Sequence, residues 1–120
     1  MTDALVLLVD DETEFVATLA ERLSFRGIEV DYATKAADAM LLVEKKAYDL
    51  AVLDMKMPGI SGIELKGMLE KKCPAMKFIF LTGHGSEEDY IAGSSEARYY
   101  LVKPVNIDTL MSKMMEAIEK

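Results

Sequence analysis

Three aspartates close two apolar runs. Asp10 and Asp11 follow Leu5-Val6-Leu7-Leu8-Val9, and Asp54 follows Leu50-Ala51-Val52-Leu53. If the two runs are neighbouring strands of a parallel sheet, the carboxylates meet at one rim. Like charges about 4 Å apart repel by roughly 4 kcal/mol per pair at an effective dielectric of about 20, so such a cluster calls for a cation. Two more apolar runs end in other polar groups: Thr82-Gly83 closes one and Lys103-Pro104 the other. Three acids, a hydroxyl and an ammonium on one edge suit a hard divalent cation together with an anion. Mg²⁺ takes oxygen ligands and shares phosphate oxygens. A carboxylate beside it can attack phosphorus to give an aspartyl phosphate. The hydroxyl and the lysine would then hold the remaining phosphoryl oxygens.

That chemistry needs strands whose ends share an edge, and the chain alternates strand-like and helix-like segments. Strands are expected at Leu5–Val9, Ile28–Tyr32, Asp49–Asp54, Lys77–Thr82 and Tyr99–Val102. The apolar middle of the third is what a strand covered on both faces requires. Helical spacing predicts helices over Thr13–Arg26, Lys35–Lys46, Gly62–Lys72 and Asn106–Glu119, with a weakly anchored one over Ser86–Ser95. Gly27 fits a helix C-terminal position, and Met57-Pro58-Gly59 breaks the chain. Leu65, Met68 and Leu69 are expected to face inward from the third helix. Five βα units imply an α/β fold, a five-stranded parallel sheet with helices on both faces. Five strands are too few for the eight-unit barrel, so the sheet is an open, doubly wound one that binds ligands beyond the carboxyl ends of its strands.

Each residue also has a plainer reading. Asp11 with Glu14 resembles a capping box for the first helix. Asp54 could be a turn residue, Thr82 a β-branched strand residue and Lys103 a solvated surface charge. His84, the single histidine, reads as a surface residue, and Met40, Met68, Met111, Met114 and Met115 as core filler. The functional reading gains its weight from coincidence, because separate strand ends each deliver a member of one workable set.

Composition narrows the field. The 120 residues suit one domain, 1–120, with 51% hydrophobic and 29% charged residues. The net charge of −7 and scattered Lys and Arg leave no basic footprint for direct nucleic-acid contact. Cys73 is the one cysteine, which favours a reducing cytoplasmic setting. No apolar run approaches the roughly 18 residues of a membrane span.

Four blocks carry a family resemblance: Val9-Asp10-Asp11-Glu12, Leu53-Asp54-Met55-Lys56-Met57-Pro58-Gly59-Ile60-Ser61-Gly62, Leu81-Thr82-Gly83, and Tyr100-Leu101-Val102-Lys103-Pro104. In this order they resemble the receiver domain of two-component response regulators, over essentially the whole chain. The resemblance implies the flavodoxin-like strand order 2-1-3-4-5. It implies Asp54 as phosphoacceptor, Asp11 as a direct Mg²⁺ ligand (Mn²⁺ being an alternative) and Asp10 acting through water. Lys56 would lend the metal its backbone carbonyl. Thr82 resembles the switch hydroxyl, Lys103 the lysine that contacts the phosphoryl group, and Tyr100 the switch aromatic. Lys103-Pro104 would be cis. The implied partners are a sensor histidine kinase or phosphotransfer protein as donor, and an output domain or downstream target. A homodimer through Ser86–Ser95, the last strand and the last helix is also consistent with the family. The chain could equally be the N-terminal part of a longer protein.

Two features depart from the family pattern. Glu96-Ala97 stands where Gly-Ala is common, and the stretch from Thr82 to Lys103 is one residue shorter than usual. Tyr99 beside Tyr100 allows a register shift to exchange their roles. Other classes fit less well. A haloacid-dehalogenase-type phosphatase places an acid two residues after its nucleophile, where this chain has Lys56. A flavodoxin offers hydroxyls and amides in its first loop rather than Asp10-Asp11-Glu12. A receiver-like scaffold that is never phosphorylated would not need the complete acid, threonine and lysine set.

Overall fold

The strand-like runs pair side by side. The computed structural model describes residues 4–83 and 99–119. Its strands are β1 (Leu5–Val9), β2 (Glu29–Ala33), β3 (Leu50–Asp54), β4 (Lys56–Met57), β5 (Ile60–Ser61), β6 (Lys77–Thr82) and β7 (Tyr99–Val102). Five of them form one parallel sheet in the order β2-β1-β3-β6-β7. Counting only these five, the order is the 2-1-3-4-5 that the resemblance implies. Helices α1 (Thr13–Phe25), α2 (Ala36–Lys45), α3 (Gly62–Lys72) and a C-terminal helix, Ile107–Glu119, pack against it. The predicted helix over Ser86–Ser95, His84 and the Glu96-Ala97-Arg98 segment lie outside the described residues.

Alternation along each strand sends side chains to two separate cores. Val6, Leu8, Leu50, Val52, Ile79 and Leu81 join α1 and the C-terminal helix on one face. Leu7, Val9, Ala51, Leu53, Phe78 and Phe80 join α2 and α3 on the other. Because both faces of β3 are covered, all five of its residues are buried. Register then levels the strand ends. Val9 pairs with Leu53, Asp54 with Leu81, and Thr82 with Val102, so Asp10, Asp54, Thr82 and Lys103 emerge at one edge.

Local chemistry sets the boundaries. Gly27 takes φ +85° after α1 and donates to the Ser24 carbonyl, a conformation glycine adopts without strain. Asn106 caps the C-terminal helix, its Oδ1 accepting from the N–H groups of Asp108 and Thr109 at 2.9 and 3.1 Å. β2 runs one residue later than the sequence suggests, since Ala33 still pairs with Val9. The Asp11–Glu14 capping box does not form; Glu12 is the residue at the N-cap, and no side chain caps α1. Met68 is 42% exposed, because Leu65 and Leu69 already occupy the inward stripe of α3. On α2 the buried positions are Ala39 and Val43 rather than Met40.

Candidate functional site

Asp10, Asp54 and Thr82 are the buried polar residues among the described core. The first loop exposes Asp11, and the carboxylate oxygens of Asp10, Asp11 and Asp54 lie within 4.8 Å of one another. Lys103 reaches in from the end of β7. Its Nζ stands 2.6 Å from Asp10 Oδ2, 2.6 Å from Glu12 Oε1 and 4.0 Å from Asp54 Oδ1. Asp11, Glu12, Asp54 and Lys103 open into a cleft of about 680 Å³, also lined by Phe15, Lys56, Thr82, Gly83 and Pro104, while Asp10 is buried beside it. The cleft is thus built from the ends of β1, β3, β6 and β7.

The loops fix these side chains from the backbone. Asp10 Oδ1 accepts from the Glu12 N–H at 2.9 Å, which ties the carboxylate to its own turn. The Lys103 N–H donates to the Thr82 carbonyl at 2.7 Å, holding the β7 exit against β6. The Lys103-Pro104 peptide is cis.

Burial at this rim raises the proton affinity of Asp10 and Asp54. Burial pushes the Asp54 carboxyl up from 3.8 to about 7, and the Asp10 charge adds to the rise against the pull of Lys103. Burial raises Asp10 as well, again opposed by Lys103 and by the Glu12 N–H. Burial works to lower the Lys103 ammonium, but its contacts with Asp10 and Glu12 outweigh it and the net shift is upward.

The donor set is all oxygen, which suits Mg²⁺ or Mn²⁺. Asp10 Oδ2 is buried and meets no donor at a hydrogen-bonding angle; its 2.6 Å contact with Lys103 is an ion pair. Such an oxygen is one that a bound cation would satisfy. The residues present therefore fit a divalent ion held by Asp10, Asp11 and Asp54.

The turn after β3, which by its sequence reads only as a break, is a second positioning device. β4 and β5 pair across Pro58-Gly59, with Gly59 at φ +83°. Proline followed by a positive-φ glycine is what a type II turn needs. Ser61 and Glu64 then form a capping box at α3, with bonds of 3.1 and 3.0 Å. The Ser-x-x-Glu spacing in the sequence was the available signal. Gly62 donates to the Met55 carbonyl at 2.9 Å, and a Cβ there would collide with the Asp54 carbonyl oxygen and come within 3.1 Å of Met55 Cα. Gly62→Ala must push α3 away from the Asp54 backbone. We expect a loss of about 1.5 kcal/mol in urea unfolding, the usual scale of overpacking. A variant as stable as wild type would show that this contact relaxes freely.

The sequence-derived residues distribute as follows. Asp10, Asp11, Asp54 and Lys103 are in mutual reach, and Thr82 lines the same cleft. Lys56 also lines it; the contact seen is its N–H, 3.5 Å from Asp54 Oδ1, rather than its carbonyl. Tyr100 pairs with Phe80 and packs on the α2–α3 face, whereas Tyr99 packs on the opposite face with Lys113 Nζ 5.4 Å from its ring. Alternation along β6 puts Thr82 on the Tyr100 face. Sequence reasoning gave Glu12 and Phe15 no part in the site. Phe15 does touch it, its ring 4.6 Å from Lys103 Nζ.

Comparison with known proteins agrees with this fold. A family model described as the response regulator receiver domain matches residues 6–115. Transcriptional regulatory protein TcrA of Mycobacterium tuberculosis is 36% identical over 110 residues, covering 91% of this chain and 44% of TcrA. The chain spans between 26% and 52% of the length of the curated relatives it matches. A response regulator receiver domain protein from Methanospirillum hungatei superposes with TM-score 0.88 at 33% identity, over 98% of this chain and 95% of that one. A Burkholderia pseudomallei response regulator, solved with a phosphorylated aspartic acid, a calcium ion and citrate, superposes with TM-score 0.83 at 26% identity, over 98% and 75%.

Proposed function

Because this chain belongs to the response regulator receiver domain family, a family of phosphorylation-activated signalling switches, we propose that Asp54 is its phosphoacceptor, supplied by the phosphohistidine of a sensor histidine kinase or phosphotransfer protein. The observation that carries this is the convergence of Asp11, Asp54, Thr82 and Lys103 on one cleft, with the buried Asp10 carboxylate beside them. Further support comes from the phosphorylated aspartic acid of the Burkholderia relative.

In the proposed reaction an Asp54 oxygen attacks phosphorus in line as the bond from phosphorus to the donor imidazole nitrogen breaks. Asp11 and Asp54, with Asp10 through water and the Lys56 carbonyl, would hold Mg²⁺, which would supply positive charge to offset repulsion between the acids and the incoming phosphoryl group. Lys103 and the Thr82 hydroxyl hold phosphoryl oxygens. Thr82 is drawn toward the new charge, and Tyr100, on the same sheet face, follows it inward. The readout is a changed surface over Ser86–Ser95, β7 and the C-terminal helix. That surface would meet an output domain, a downstream target or a second copy of the chain. The domain assists its own phosphorylation and dephosphorylation rather than turning over an external substrate. We read residues 1–120 as one receiver domain working in the cytoplasm without direct nucleic-acid contact; no helix among the described residues is long and apolar enough to cross a membrane.

Incubation with Mg²⁺ and acetyl phosphate tests the proposal. Intact mass should show a single phosphate adduct on wild type and none on Asp54→Asn. An unmodified wild type, or an undiminished adduct on the variant, would overturn it.

A further inference from the structure

Lys103 is held on one side of the cleft. Its ammonium meets Asp10 Oδ2 and Glu12 Oε1, each at 2.6 Å, and lies over the Phe15 ring at 4.6 Å. Glu12 is the N-cap residue of α1 and Phe15 stands in its first turn, so both restraints come from the same corner. Asp54 Oδ1, at 4.0 Å, is beyond hydrogen-bonding reach. We propose that Glu12 is a positioning residue that tethers Lys103 toward α1 and so slows phosphoryl capture at Asp54. This rests on the reading of Asp54 as phosphoacceptor.

The Lys103 Nζ is a single charged nitrogen, 2.6 Å from Asp10 and from Glu12 but 4.0 Å from Asp54 Oδ1, so a step toward Asp54 stretches these closer contacts. Asp10 and Glu12 are the carboxylates in contact with it, and a phosphoryl group on Asp54 must draw it across the cleft. Asp10 belongs to the acidic cluster and is buried, so its hold persists. Glu12 has a side chain 62% exposed, and water can solvate its carboxylate once the lysine leaves. Glu12 is therefore the partner that yields. An exposed pair is worth little, so the tether changes a rate by a modest factor and does not act as a lock.

Reach and charge separate in two substitutions. Glu12→Gln removes the charge. Glu12→Asp keeps it but withdraws the carboxylate by one methylene. Glu14→Gln removes a charge from the same turn of α1 without touching the cleft. Adduct formation with Mg²⁺ and acetyl phosphate, followed by intact mass, should be faster by about two- to fivefold in both Glu12 variants. Glu14→Gln should match wild type. Melting curves identify any variant whose fold is compromised. Acceleration by Gln but not Asp would mean a general charge effect and would overturn the tether. So would rates at Glu12 no faster than wild type. A wild type that takes no phosphate would instead refute the phosphoacceptor reading itself.

Discussion

Asp54→Asn is expected to end phosphoryl capture and, in the same molecule, to stabilise the metal-free fold by about 2 kcal/mol at pH 8. Asn keeps the shape of the side chain and removes the charge that burial and Asp10 penalise. A carboxyl whose folded pKa is raised binds its proton more tightly in the folded than in the unfolded chain. Stability therefore falls as pH climbs from 3.8 through about 7, and the full cost is present above that window. At about 1.4 kcal/mol per pH unit the shift sets a ceiling of about 4 kcal/mol, and water in the open cleft screens it to about half. The variant's advantage should shrink toward pH 5, where wild-type Asp54 takes up its proton. Asp10 is raised in the same direction but is present in both proteins, so its contribution largely cancels. Urea unfolding with a chelator at pH 8 and pH 5, followed by far-ultraviolet circular dichroism, measures both numbers; the chain has no tryptophan to report on folding. An advantage that grows toward pH 5 would contradict the origin assigned to it. Saturating Mg²⁺ should narrow the gap at pH 8, because the cation favours the wild-type cluster over the variant.

The residues that carry this prediction were legible because the sheet makes them so. A strand buried on both faces must be apolar, and the first polar residue after it marks a strand end. Asp10, Asp54 and Thr82 announce themselves in this way, Lys103 ends the apolar but only partly buried edge strand β7, and a parallel sheet has one rim to put them on. Helix faces were read less well. Leu65 and Leu69 suffice to cover Phe78 and Phe80, so hydrophobicity at Met68 finds no space and points to solvent. Periodicity reports which residues could be buried, while the packing partner decides which are. Backbone-borne detail was harder to see. The pairing across Pro58-Gly59 spans only two residues on each side, too short to show alternation. Glu12 lay in plain view beside Asp10 and Asp11, yet its 2.6 Å contact with Lys103 joins residues 91 positions apart. No local pattern encodes that distance; the order β1-β3-β6-β7 in the parallel sheet brings the two strand ends to one rim.

Lys103→Met should have the opposite sign to Asp54→Asn, lowering the stability of the metal-free protein by about 3 kcal/mol at pH 8. The Lys103 side chain is 11% exposed and lies between Asp10 and Asp54, themselves 3% and 7% exposed. Methionine preserves most of the length and the packing over Phe15 but leaves Asp10 a buried charge without its ion-pair partner. Removing one member of a buried pair costs more than the pair contributes, because the remaining charge keeps its desolvation penalty. The lysine's own titration does not shape the neutral range. Its raised pKa means that its contribution is fully present below the ordinary 10.5 and is lost only as pH rises beyond it. The pH dependence comes from the acids, so the deficit should shrink toward pH 5 as Asp54, raised to about 7, takes up its proton. Adding Asp54→Asn to Lys103→Met should recover stability beyond the sum of the single changes, since one fewer charge is stranded. Urea midpoints for the four proteins close that cycle. If Lys103 were only a solvated surface charge, its removal would shift the midpoint within about 0.5 kcal/mol and show no coupling to residue 54. Opposite signs at two positions 4.0 Å apart would instead locate the stored repulsion in this rim, where it would set the protein's demand for a cation.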